Sequence, residues 1–287
     1  MTHLLIAGPL ALDDHPQQAG LLGGVGCYAA MAAAPLARTQ LWCRAGADIN
    51  PQVRAILDRR GIILDGVSWS GTTPRGTAAG FVPGGPLLPP DLEPTTADGV
   101  GAVLLIGLDP LEWDRATRVI AAFAGAATRP VISSPRPADL ADAAFCDRVC
   151  AGADVLVLSV AQALRVSGKD APLAAAESFI SRGAKAVALT AGQLGGLLVY
   201  RQKSTTWPVA PVATVDKLGV SAAFPGALAA WIAGTGAADF STVKRGCAMA
   251  SAVGSICAQG IGPRKLLTAD RNEYLERFNR LRRAHKF

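Results

Sequence analysis

The 287 residues are half hydrophobic and only 17% charged, which excludes a disordered chain and is enough to bury the core of one large α/β unit. The net charge of +6 and pI near 9.2 invite a nucleic-acid reading. The densest basic cluster, LERFNRLRRAHKF (275–287), instead alternates with apolar residues at helical spacing and reads as the solvated face of a terminal helix. No nucleic-acid partner is therefore expected, and a mildly basic chain suits anionic small ligands such as nucleotides.

No apolar run reaches membrane-spanning length, so no membrane partner is expected. The opening MTHLLIAGPLALDDH reads as a first strand, without the basic flank and long apolar stretch of a signal peptide. Six cysteines show no C-x-x-C and no histidine at ligand spacing, so reduced, buried thiols and no metal site are expected in a soluble cytoplasmic protein.

Along the chain, apolar runs of strand length alternate with helical patterns. HLLIAG (3–8) is a strand, and Asp13 and Asp14 fall in the loop just past its end. GCYAAMAAAPLA (26–37) is a helix, TQLWCRAG (39–46) a strand, and PQVRAILDRRG (51–61) a helix opened by Pro51. SGTTPRGTAAGFVPGGPLLPPDLEPTTADG (70–99) breaks the rhythm; it is rich in Pro, Gly and Thr, holds one short strand at RGTAAGFV, and reads as a surface excursion or lid. Then follow a strand (102–107), a helix (111–125), a strand (130–134), a helix (138–152), a strand (154–159), a helix (172–183) and a strand (184–190). A closing hairpin (195–200 and 205–210) comes next, and the chain is mainly helical from 219 onward. This order implies a mostly parallel sheet covered by helices on both faces, with ligands at the C-terminal edge of the strands.

Three glycine-bearing turns are candidate ligand contacts: GGVGCYAA (23–30) before a helix, TAGQLGG (190–196) after a strand, and VDKLGVSAAF (215–224) leading into a helix. A helix N-terminus opened by Gly219 offers N–H donors and the positive end of a dipole to an anion. Asp13, at the ligand edge, is suited to accept hydrogen bonds from a polyol.

In this order, GPLALD (8–13), LLGGVGCYAAMAAA (21–34), CRAGADI (43–49), DVLVLSVAQALRVSG (154–168), VALTAGQLGG (187–196) and VDKLGVSAAF (215–224) resemble the ribokinase, or phosphofructokinase-B (PfkB), family of sugar and nucleoside kinases. The resemblance spans nearly the whole chain. It implies a ribokinase-like three-layer α/β sandwich, a single domain over 1–287 with a small lid near 70–99, and a homodimer through the lid. It further implies a sugar or nucleoside substrate, ATP or ADP with Mg2+, and phosphoryl transfer to an alcohol. On the family's pattern the substrate side falls on Asp13, Gly23, Gly24, Tyr28 and Asp48. The nucleotide or anion side falls on Thr190, Gly192, Gly195, Lys217, Gly219, Val220 and Ser221.

The departures concern chemistry. The family's G-A-G-D, whose aspartate is the general base, reads Gly219-Val220-Ser221-Ala222, and its N-x-x-E, which helps organise magnesium, reads Ser159-Val160-Ala161-Gln162. Pro225 enters the following helix, where it is expected to distort the backbone, and Lys217 stands where threonine is usual. Together these changes imply a catalytically impaired homologue, a pseudokinase that binds a sugar, nucleoside or nucleotide or serves as a scaffold. The alternative is an active kinase with a displaced base.

Overall fold

The structure, a computed structural model, describes residues 3–77, 80–82, 85–90, 99–124 and 129–285. Its strands are β1 (His3–Ala7), β2 (Ala11–His15), β3 (Gln18–Gly23), β4 (Arg38–Ala45), β5 (Ile62–Ile63), β6 (Val67–Trp69), β7 (Arg75–Thr77), β8 (Gly80–Val82), β9 (Val100–Ile106), β10 (Val131–Ser134), β11 (Val155–Ser159), β12 (Ala186–Thr190), β13 (Gly196–Tyr200) and β14 (Lys203–Trp207). Its helices are α1 (Val25–Ala33), α2 (Pro51–Arg59), α3 (Pro110–Ala124), α4 (Ala143–Gly152), α5 (Val160–Ser167), α6 (Pro172–Ser181), α7 (Val220–Thr235), α8 (Phe240–Cys257), α9 (Arg264–Thr268) and α10 (Arg271–His285).

The main sheet runs β14-β13-β12-β11-β10-β9-β1-β4-β5, with β6 also on β4. From β12 to β5 the pairings are parallel, and β13 and β14 close one edge antiparallel. Successive strand residues feed opposite faces, as a pleat requires. Leu4, Ile6, Leu104 and Ile106 join the core beneath α1, α7 and α8, whereas Leu5, Ala7, Val103 and Leu105 join the core beneath α3, α4 and α6. This is the expected three-layer α/β sandwich. α1, α7 and α8 are rich in small residues, which lets them approach closely; a Cβ at Gly226 of α7 would lie 2.6 Å from Ala29 Cα of α1.

A second sheet, β3-β2-β7-β8, stands apart from this frame. Its β2–β3 hairpin was not expected: DDHPQQAG carries no alternating apolar pattern, and Asp13 and Asp14 were read as lying in a loop past the first strand. RGTAAGFV forms two strands, β7 and β8, and not one; within the 70–99 excursion, residues 78–79, 83–84 and 91–98 lie outside the described residues. The helix expected over 138–152 begins only at Ala143, because Asp142 caps it by accepting the Ala144 and Phe145 N–H groups. α5 also escaped the sequence reading. Pro225 leaves α7 a single helix from Val220 to Thr235. All six cysteines are buried and free, and among the described residues no helix is long and apolar enough to cross a membrane.

One cation ties the start of α10 and Ala269, just before it, to α1. The Arg60 guanidinium, at the end of α2, donates to the carbonyls of Ala269 (2.7 Å) and Met31 (3.3 Å) and to the Tyr274 hydroxyl (3.3 Å). Hydrogen bonds from a charged donor contribute more than neutral ones. Arg60→Ala is expected to lower the free energy of unfolding by about 2–3 kcal/mol, measured by urea titration.

Candidate functional site

The C-terminal ends of β9, β10, β11 and β12 open onto a cavity of about 360 Å³. The strand ends contribute Ile106, Ser134, Ser159 and Thr190, and the start of α1 contributes Gly24, Val25 and Tyr28. The turn into α7 adds Gly219, Ser221 and Ala222, and the second sheet adds Asp13 and Gly76. The volume falls in the range usual for small-molecule sites.

Asp13 is the only carboxylate lining the cavity among the described residues, and it is only 8% exposed. It fits because two neighbours have no side chain: a Cβ at Gly23 would stand 1.9 Å from Asp13 Oδ2, and one at Gly76 would stand 2.2 Å from Oδ1. The Gly24 N–H donates to Oδ2 at a long 3.4 Å. Burial pushes the Asp13 carboxyl above its usual value; the Gly24 bond partly offsets this and the charge of Asp14 adds to it.

Tyr28 packs its ring against the turn that starts α7. Gly219 has φ of 79°, and a Cβ there would lie 2.1 Å from the tyrosine ring, so glycine is required on both counts. Tyr28 is 2% exposed and its hydroxyl has no hydrogen-bond partner among the described residues; burial, then the charge of Asp13, raise its pKa well above the ordinary phenol value. Asp216 braces the same turn by accepting the Leu218 N–H and the Gly262 N–H, both at 2.9 Å, with His15 Nε2 3.7 Å away. Burial alone would raise the Asp216 carboxyl, but the two donated hydrogen bonds and the imidazole outweigh it and hold it below the usual value.

The helix N-terminus offers an anion less than the sequence suggests. The Val220 N–H donates to the Lys217 carbonyl and the Ala222 N–H to the Gly219 carbonyl, so the turn satisfies two of its own donors. Lys217 is exposed, and neither it nor Val220 lines the cavity. At Ala222, 1% exposed on the cavity wall, there is a methyl group.

Gln162 lines the cavity in a second role. Its Oε1 accepts the Ser159 N–H at 2.8 Å, while Ser159 Oγ accepts the Gln162 N–H at 3.2 Å, a complete capping box at the start of α5. Gly192 and Gly195 lie outside this cavity, in the turn after Thr190, where the Gln193 amide reaches Thr214 Oγ1 at 3.1 Å. Their neighbours Ala191, Leu194 and Gly196 line an adjoining groove of about 540 Å³ with Trp207 and Pro208. Asp48 is also outside: it accepts the Thr73 N–H and hydroxyl, which lowers its pKa and fixes the loop leading to β7. Sequence reasoning missed Arg136, on the cavity wall and paired to Asp139 at 2.6 Å, and it missed Gly76. Arg136 follows the C-terminal end of a parallel strand, and that position was the available signal.

The family model described as pfkB family carbohydrate kinase matches residues 97–270, more than half of the chain. The chain belongs to the pfkB family of carbohydrate kinases. No curated protein matches it by sequence. Among solved structures, a fructokinase from Vibrio cholerae O395 in fructose-, ADP- and calcium-bound form superposes with a TM-score of 0.77 at 17% identity, covering 97% of this chain and 99% of that one. Aminoimidazole riboside kinase from Salmonella enterica, complexed with aminoimidazole riboside and an ATP analogue, gives 0.76 at 17% identity, with 96% and 99% covered. Arabidopsis thaliana ribokinase, complexed with ribose and ATP, gives 0.75 at 18%, with 96% and 98% covered. At these identities the superpositions establish the shared fold, and they confirm the ribokinase-like architecture read from the motifs.

The raised Asp13 pKa sets a pH dependence. The folded protein holds the proton on Asp13 more tightly than the unfolded chain does, so ionising Asp13 costs stability as pH rises through and above the ordinary carboxylate value. Asp13→Asn is therefore expected to be more stable than the parent at neutral pH, and the difference to shrink as pH falls to about 4, read as melting temperature against pH.

Proposed function

We propose that this pfkB-family protein binds a small sugar or nucleoside in the cavity at the sheet's C-terminal edge and has lost efficient phosphoryl transfer. Ala222 carries the reading. It is buried on the cavity wall where the family's pattern places the general base, and a methyl group cannot take a proton. Loss of a general base costs on the order of 10²–10⁴ in rate.

Asp13 is the ligand's anchor in this reading. A buried carboxylate with one long hydrogen bond lacks donors, and the hydroxyls of a polyol supply them. Gly23 and Gly24 shape its pocket, Tyr28 walls it, and the second sheet, which brings Asp13 and Gly76 over the cavity, acts as the lid. A homodimer through the edges of that sheet belongs to the same proposal. A nucleotide would enter along the groove beside Thr190, Gly192 and Gly195, with Gly219 and Ser221 nearest its phosphates. The donor set does not fit a Mg2+ site built on side-chain carboxylates. The glutamate position is Gln162, whose oxygen caps α5, and among the described residues no three metal-ligating side chains converge.

One observation favours the alternative of a working kinase: Asp13 lies in the same cavity with raised proton affinity and would be the displaced base. ADP release measured against fructose, ribose and adenosine separates the two. The parent is expected at background, and Ala222→Asp with Gln162→Glu to raise turnover by at least about 10²-fold. Parental turnover whose kcat vanishes in Asp13→Asn while substrate binding is kept would establish the displaced base, and a folded, ligand-binding double variant without activity would refute the assignment of the loss to these two positions.

A further inference from the structure

At the other end of the sheet, the N-terminal ends of β10, β11 and β12 floor a groove of about 690 Å³. Strands of four or five residues separate it from the cavity by about 15 Å. Ligands of open α/β sheets collect at the C-terminal edge, so catalysis in this fold makes no demand on this groove.

Its walls combine apolar and cationic groups. Trp113 and Ile120 of α3 form one side, Tyr200 another, and Arg129, Lys185 and Arg201 bring three positive charges. Two carboxylates also line it, and both are occupied. Asp154 accepts the Val131 N–H through Oδ2 and pairs with Lys185 Nζ (2.5 Å) through Oδ1, while Asp239 accepts the Thr242 N–H and hydroxyl, each at 3.0 Å. Arg201 differs from the other cations. No carboxylate pairs with it among the described residues, and its guanidinium lies 5.9 Å from the Tyr200 ring. It opens the β13–β14 turn with φ of 53°, the only non-glycine residue at positive φ among those described. It also borders a second groove of about 440 Å³ with Lys203, whose Nζ lies 5.5 Å from the Phe240 ring. Tyr200 and Phe240 meet edge to face at 6.1 Å.

We propose that this groove is a second, non-catalytic ligand site for a small organic phosphate carrying a flat ring, with the chemistry of a nucleoside monophosphate. Arg201 holds the phosphate through charge-assisted hydrogen bonds, and the Tyr200, Trp113 and Ile120 surfaces hold the ring. The volume lies in the range of small-ligand sites. The inference stands independently of the function proposed for the cavity.

The test is calorimetric titration of the full chain with adenosine 5′-monophosphate, and in parallel with adenosine. The monophosphate is expected to bind, more weakly at high salt, and Arg201→Gly to weaken it by roughly tenfold or more, the loss of one charge-assisted contact. Glycine is the residue best suited to the turn's positive φ, so this variant keeps the fold, and circular dichroism checks that it does. Adenosine, which lacks the phosphate, is expected to show no loss of binding in Arg201→Gly and no comparable weakening at high salt. Binding equal in the parent and Arg201→Gly, a loss in Arg201→Gly that adenosine shares, or no binding at millimolar monophosphate would each overturn the proposal.

Discussion

The cavity depends on keeping one carboxylate out of water. Asp13 is carried by a strand of the second sheet into a space that exists because Gly23 and Gly76 have no side chains, and it receives a single long hydrogen bond there. Taking an ionised group from water with so few partners is unfavourable, and among the described residues only the Gly24 N–H offsets it. A purely structural residue at this place would gain stability by losing the charge. The arrangement makes physical sense when donors arrive from outside, as the hydroxyls of a ligand would, and this is why the substrate half of the proposal rests on Asp13.

The facing wall shows the opposite chemistry. Ala222 is packed against the cavity with no ionisable atom, and Gln162 has become half of a capping box. A glutamate at the third position of a helix completes the same box, so the family's carboxylate can be replaced by an amide while α5 keeps its start. The turn before α7 has likewise been drawn into its own hydrogen bonds, braced beneath by Tyr28 and from the side by Asp216. Helix geometry is thus regular at each point where the wall carries no charge.

The main sheet was legible because buried parallel strands such as VLVLS and AVALT read as unbroken apolar runs between amphipathic helices. The second sheet was not. ALDDH and QAGLLG carry polar residues that face solvent or the cavity, and the hairpin they form is joined to β7 by contacts far apart in the chain, such as Leu12 with Arg75. In the candidate site the order of the motifs located Asp13, Tyr28, Thr190 and Gly219 on one cavity, because each follows a strand end or opens a helix at the same edge. Asp48 and Lys217 were placed by motif position alone, and neither lines this cavity: Asp48 bonds Thr73 of its neighbouring loop and Lys217 is exposed. The partnering of Gln162 with Ser159 was visible as S-x-x-Q, but the functional reading of that stretch obscured its capping role.

The same electrostatics explains why such a site would persist once its chemistry had gone. An aspartate at position 222 would be almost wholly desolvated, and it would share a small cavity with a second carboxylate already short of donors. Like charges in low dielectric raise one another's proton affinity, and the N-terminal dipole of α7 compensates only part of that cost. A working general base is therefore a burden on the fold that only turnover justifies, the usual tension between activity and stability. With alanine there the burden on α7 disappears, while the cost at Asp13 remains. A carboxylate on the ligand side opposite an alanine at position 222 is the pattern expected where binding is required and transfer is not.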